Sequence, residues 1–143
     1  MRKRKLKIRK LEPMPKKKVG RIFSNDVHFE THEYETIILL AQFGFDIEPA
    51  KQNNTPETHN ADISMLGTTW EMKSPEKFRE KTIKKRINEA SHQADHIIFD
   101  LRRIKSDDRT KAKDFLVEML VNNHAIRRMM VIVSSEEILD IEK

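Results

Sequence analysis

Two apolar runs late in the chain, HIIFDL (His96–Leu101) and RRMMVIVSS (Arg127–Ser135), constrain its fold more than any other feature. A strand that is wet on one face alternates apolar and polar residues. These runs do not, so each is predicted to lie in a sheet covered on both faces. Between them, DDRTKAKDFLVEMLVNNH (Asp107–His124) has helical spacing. A buried strand, a helix and a second buried strand are the parts of a parallel pair joined by a crossover helix. The predicted class is therefore α/β, a mixed central sheet flanked by helices.

The upstream sequence supplies the remaining elements. HFETHEYETIILLAQFGF (His28–Phe45) reads as an amphipathic helix stopped near Gly44. FDIEP is a short strand, and AKQNNTPETHN (Ala50–Asn60) is a loop rich in turn formers. ADISML and TTWEMKS alternate with period two and read as a hairpin turning through Gly67 and Thr68. EKFREKTIKKRINEASHQA (Glu76–Ala94) is a charged helix with Ile83, Ile87, Ala90 and Ala94 on one stripe. EEILDIEK is a final short strand. The predicted order is α-β-β-β-α-β-α-β, closed by that last strand.

A chain of 143 residues suffices for one domain with one core. It has no cysteine, which removes disulfides and thiolate metal sites and suits a reducing compartment. No apolar run approaches the ~20 residues that cross a bilayer, and no secretory leader is visible. The expectation is a cytoplasmic protein with no membrane partner. The charge is uneven. Residues 1–18 hold ten of the 28 Lys and Arg against one acid, Glu12, a local net of +9. The rest carries 18 bases and 22 acids, a net of −4. Residues 1–18 are thus predicted to be a basic flexible tail, bounded by Pro13 and Pro15, and residues 19–143 a single α/β domain. Such a tail can add affinity for phosphate backbones by counterion release.

The hairpin holds a candidate chemical site. Side chains alternate across a strand, so Glu71 and Lys73 share one face while Trp70 and Met72 take the other. In the preceding strand Ile63 and Met65 are the apolar set, leaving Asp62 with Ser64. A two-residue turn at Gly67–Thr68 would pair Ser64 with Glu71 and Asp62 with Lys73, putting Asp62 diagonal to Glu71. Two carboxylates are hard oxygen ligands suited to Mg²⁺ or Mn²⁺, and an adjacent lysine can orient a water or stabilise developing charge. A cross-strand salt bridge on a wet face would use the same residues.

Glu33 adds to the pattern. Ile37, Leu40 and Ala41 follow it at helical spacing, so it sits at the start of the inward stripe, whereas Glu35 aligns with Leu39 and Gln42. An inward acid needs a partner: a cation shared with Asp62 and Glu71, or the helix's own first turn. Gln93, three residues after Ala90, is placed to reach the sheet from the second helix. His92 faces away from the apolar stripe. His28, His32, His59 and His96 show no ligand-like spacing.

Asp62 followed by Glu71-Met72-Lys73 resembles the core of the PD-(D/E)XK nuclease superfamily, although Ala61 stands where the namesake proline would be. Glu33 before LLAQFG, then WEMKSP and EASHQADHIIFDLRR, are similar to the tRNA nuclease C-terminal domains of CdiA contact-dependent inhibition toxins, over about Phe29 to Val133. The resemblance implies a restriction-endonuclease-like fold and a metal-dependent phosphodiesterase that cuts RNA, with tRNA the favoured substrate. It implies Glu33, Asp62 and Glu71 as metal ligands, Lys73 as the catalytic lysine and Gln93 in support. Mg²⁺ or Mn²⁺ is the expected cofactor, with Zn²⁺ as a further candidate, and an immunity or inhibitor protein is a candidate partner. Lys77, Lys81, Lys84, Lys85 and Arg86 are candidates to grip the nucleic-acid backbone, though any solvated helix face carries such charges. The alternatives are a DNA endonuclease of the same fold and a non-catalytic nucleic-acid-binding module that uses the basic tail.

Overall fold

Along strand β5 (His96–Asp100), side chains divide between two apolar layers: Ile97 and Phe99 into one, Ile98 into the other. This is the arrangement that an uninterrupted apolar run predicts. The computed structural model describes residues 6–23, 28–50 and 61–143. Its elements are β1 (Lys7–Leu11), a 3₁₀ turn at Lys16–Lys18, α1 (Thr31–Gln42), β2 (Ile47–Pro49), β3 (Ile63–Met65), β4 (Thr68–Lys73), α2 (Glu80–Ser91), β5, α3 (Ser106–Asn122), β6 (Arg128–Ser134) and β7 (Glu137–Glu142). They build one sheet in the order β1-β7-β6-β5-β4-β3-β2.

β4, β5 and β6 are mutually parallel and joined through α2 and α3, while every other neighbouring pair is antiparallel. One layer packs Ile37, Leu40 and Ala41 of α1 onto Trp70, Met72, Ile98 and Met130. The opposite layer packs Ile83, Ile87 and Ala90 of α2 with Ala112, Leu116 and Leu120 of α3 onto Ile97, Phe99, Met129 and Val131. Removing this apolar area from water is what holds helices to both faces. No helix among the described residues is long and apolar enough to cross a membrane.

The basic segment departs from its expected role as a free tail. Lys7–Leu11 is an edge strand, antiparallel to β7, with Lys7 opposite Glu142 and Arg9 opposite Asp140. Net charge measures whether a segment can fold alone. Here β7 supplies both the ladder and the counter-charges, so the segment needs no core of its own. Asp140 is 1% exposed and takes bonds from Arg128 (2.9 and 2.7 Å) and Arg9 (2.7 Å). Burial alone would raise its carboxyl pKa, but the Arg128 and Arg9 hydrogen bonds outweigh that and hold it below the usual carboxylate range.

Candidate active site

The hairpin of β3 and β4 turns one residue earlier than its sequence suggests. Leu66 (φ 56°) and Gly67 (φ 75°) are both left-handed, as a two-residue type I′ turn requires, with glycine in the second place. Met65 therefore pairs with Thr68, Ser64 with Thr69 and Ile63 with Trp70. The slip keeps every side chain on its expected face but brings Asp62 level with Glu71 instead of diagonal to it. Two hydrogen bonds fix that placement: Asp62 N–H donates to the Trp70 carbonyl at 3.0 Å, and Met72 N–H donates to Asp62 Oδ2 at 2.8 Å.

Glu71 is 3% exposed, and its Oε2 has no hydrogen-bond partner in the structure described. Burial, then the hydrogen bond and negative charge of Asp62, push its pKa up to about 9, with Glu33 adding to the rise and Lys73 opposing it. Two carboxylates this close cannot both ionise readily without a cation nearby. Lys73 Nζ lies 3.8 Å from Glu71 Oε1 and 3.9 Å from Glu89 Oε2. Glu33 sits at the first turn of α1, where its Oε1 accepts the Glu30 N–H at 2.9 Å in a capping box. The helix-capping role and the inward position therefore coexist in one side chain, while Glu35 is exposed.

Glu33, Asp62, Glu71 and Lys73 all line one open cleft of about 670 Å³. It lies at the carboxyl ends of the parallel strands, where α/β sheets commonly place their ligands. Among the described residues, no three His, Asp or Glu side chains form a ready-made cation cage. The donor set nevertheless fits a hard divalent cation, because three oxygen-bearing acids share the cleft and Glu71 Oε2 is buried without a partner.

Other site expectations separate. Lys77 and Arg86 line the cleft; Lys81, Lys84 and Lys85 do not, and Lys84 borders a separate groove against the end of α3. Gln93 is not among the cleft residues. α2 ends at Ser91, so Gln93 falls in the turn before β5, where its Oε1 is buried without a hydrogen-bond partner among the described residues. Glu89, inside the helix, is the residue that reaches Lys73 and also binds Arg86 at 3.2 Å.

His32, Arg79, Thr82 and Arg103 also line the cleft and were not expected there. Arg103 donates to the Ser74 carbonyl at 2.9 Å and pairs with Glu76. A usable signal existed, since charges directly after a buried parallel strand, as in FDLRR, mark the end where sites form. Arg79, Thr82, Arg86 and Glu89 likewise share one helical stripe at i, i+3, i+7 and i+10.

An α/β sheet with paired acids and a lysine at its strand ends defines a class of cleft, and sequence comparison gives the family. Residues 58–138, more than half of the chain, match the contact-dependent growth inhibition CdiA C-terminal domain, and the chain belongs to that family. Among solved structures it is similar to a chain of the CdiA-CT/CdiI toxin and immunity complex from Burkholderia pseudomallei, with a TM-score of 0.58 over 84% of this chain and 98% of that one. At 11% identity this is a likeness of fold. No curated protein sequence matches the chain at a significant level.

Proposed function

We propose that this protein is a toxin nuclease of the PD-(D/E)XK type, a metal-dependent phosphodiesterase that cleaves RNA, with tRNA the favoured substrate and the cytoplasm its place of action. The observation that carries the reading is the buried, partnerless oxygen of Glu71 beside Asp62, with Lys73 within 3.8 Å, at the floor of a cation-rimmed cleft. Glu33, Asp62 and Glu71 would hold Mg²⁺ or Mn²⁺. A divalent cation there supplies charge neutralisation at the scissile phosphate and a more acidic water.

The protein's own groups do the rest. Lys73 donates from Nζ to the attacking water or to a non-bridging phosphate oxygen, where negative charge develops. Lys77, Arg79, Arg86 and Arg103 hold the flanking phosphates, so that water, phosphorus and leaving oxygen align. Glu89 Oε2 bridges Lys73 and Arg86 and offsets the repulsion between the two cations. The toxin and immunity pairing of the similar structure supports a cognate inhibitor protein as a partner of this chain too.

The test is a two-substrate assay. tRNA and plasmid DNA are incubated with the protein in Mg²⁺, Mn²⁺ or chelator, alongside Asp62→Ala and Lys73→Ala. tRNA cleavage that needs the cation and both side chains is expected. Cleavage that survives both EDTA and Asp62→Ala sinks the mechanism, and metal-dependent cutting of plasmid alone moves the substrate to DNA.

A further inference from the structure

One polar network near the cleft is buried where apolar packing would suffice. Thr36 of α1 is fully buried and donates its hydroxyl to Asp100 Oδ2 at 2.6 Å. Asp100, 4% exposed, is held in turn by Arg102, with Nε 3.0 Å from Oδ1 and Nη2 2.8 Å from Oδ2. The Arg102 carbonyl accepts Arg109 Nη2 of α3 at 2.9 Å. Thr36 stands beside Ile37 and Leu40 on the inward face of α1, where a valine would fill the same volume but give Asp100 Oδ2 no hydrogen bond. Buried ion pairs seldom add stability over apolar packing of similar volume, so their best-supported use is to fix one arrangement among several.

The arrangement fixed here borders the cleft. Asp100 is the last residue of β5 and directly follows Phe99, the residue that pairs with Lys73. Thr36 lies one helical turn after Glu33 on the same face. The far end of α1 is fastened by backbone bonds, Met14 N–H to the Gln42 carbonyl at 2.9 Å and Gly20 N–H to the Ala41 carbonyl at 2.7 Å. At the near end, Thr36 ties the helix to the sheet. Glu33 Oε1 accepts the Glu30 N–H, so its carboxylate moves with the first turn of α1.

We infer that Thr36 and Asp100 are positioning residues, a strut that sets where Glu33 stands relative to Asp62 and Glu71 and so governs cation affinity. The inference rests on the cation-centre reading given above. It is tested without substrate, by titrating Mn²⁺ into the full chain and following free Mn²⁺ by electron paramagnetic resonance. Thr36→Val weakens Mn²⁺ binding ten- to a hundredfold, on the order found for groups behind a metal ligand. Thr36→Ser restores the hydroxyl and returns the wild-type curve. Asp100→Asn keeps an acceptor for Thr36 but loses the Arg102 ion pair, and gives an intermediate loss.

A strut with a purely structural role would lower the unfolding midpoint of Thr36→Val and leave its Mn²⁺ curve in place; that result overturns the inference. Wild-type affinity retained in Glu33→Gln overturns it as well, while leaving a centre of Asp62 and Glu71 standing. If the wild-type protein takes up no Mn²⁺ at millimolar concentration, the cation centre itself falls and the strut's role falls with it.

Discussion

Replacing Glu71 by glutamine should stabilise the cation-free protein while abolishing the proposed nuclease activity, and the gain should grow with pH. In the folded chain the Glu71 carboxyl keeps its proton up to about pH 9, against an ordinary value of 4.5. The folded state therefore binds a proton over a window in which the unfolded state has released it. Stability is complete below the unfolded value and is lost as pH rises toward the folded one. From pH 4.5 to pH 7 the loss at face value is about 3 kcal/mol, at ~1.4 kcal/mol per pH unit. The cleft is open to water and the proton is shared with Asp62, which reduces the figure to roughly 2 kcal/mol. Glutamine has the shape of the protonated acid and carries no such cost. For a chain of this size the difference is an unfolding midpoint raised by about 6 °C at pH 7 and near zero at pH 4.5. Thermal unfolding of both proteins in chelator, from pH 4.5 to 9, reads it directly, and added Mg²⁺ should narrow the gap by taking the proton's place. Parallel pH profiles for the two proteins would refute the reasoning, because Glu71 would then ionise as freely folded as unfolded.

Further outcomes follow from the backbone and the edge strand. Gly67→Ala meets no atom within 4 Å, so its cost is the left-handed backbone alone; a loss of about 1 kcal/mol in urea unfolding is expected, and no loss would place the turn elsewhere. Gly20→Ala would set a Cβ 1.8 Å from the Phe45 carbonyl oxygen, so the backbones must part; a loss above ~2 kcal/mol is expected, and wild-type stability would show that residues 20 and 45 are not in contact. Asp140→Asn should cost about 2 kcal/mol at neutral pH, by removing the buried two-oxygen partner of Arg128 and leaving it, among the described residues, only Glu142, 3.3 Å away. Because the Asp140 pKa is depressed in the folded state, its contribution is present above the unfolded value and lost in acid. The mutant and wild-type curves should therefore begin to converge as pH falls below the ordinary carboxylate value and meet only below the depressed folded-state one, and a gap that does not narrow across that range contradicts the ion pair.

The parts of the fold that were legible in the sequence are those set by local pattern. The unbroken apolar runs of β5 and β6 gave the parallel core, and period-two alternation sorted Trp70 and Met72 from Glu71 and Lys73. The positions that escaped depend on where elements end and on distant partners. The turn at Leu66–Gly67 needs a leucine in a left-handed conformation, which a preference for ordinary turn residues does not favour, so the pairing came out two residues away. Gln93 stands on the flank of the α2 stripe by spacing, but the helix stops at Ser91, and the helical residue that pairs with Lys73 is Glu89. Lys7–Leu11 looked like a solvated charge run because its acidic partners, Asp140 and Glu142, are more than a hundred residues away in the chain. Thr36 read as one more residue in an apolar helix, with nothing nearby in sequence to announce Asp100.

The edge pairing has a mechanical consequence. Because Lys7 lies opposite Glu142 and Leu11 opposite Ile138, the two ends of the sheet's outer ladder emerge side by side. Tension applied between the chain ends would open that ladder one rung at a time rather than shearing all its rungs together, so the domain should yield at low force. The first rungs to go would strip Arg9 from Asp140, and a protein drawn through a narrow passage by either end would start to come apart there.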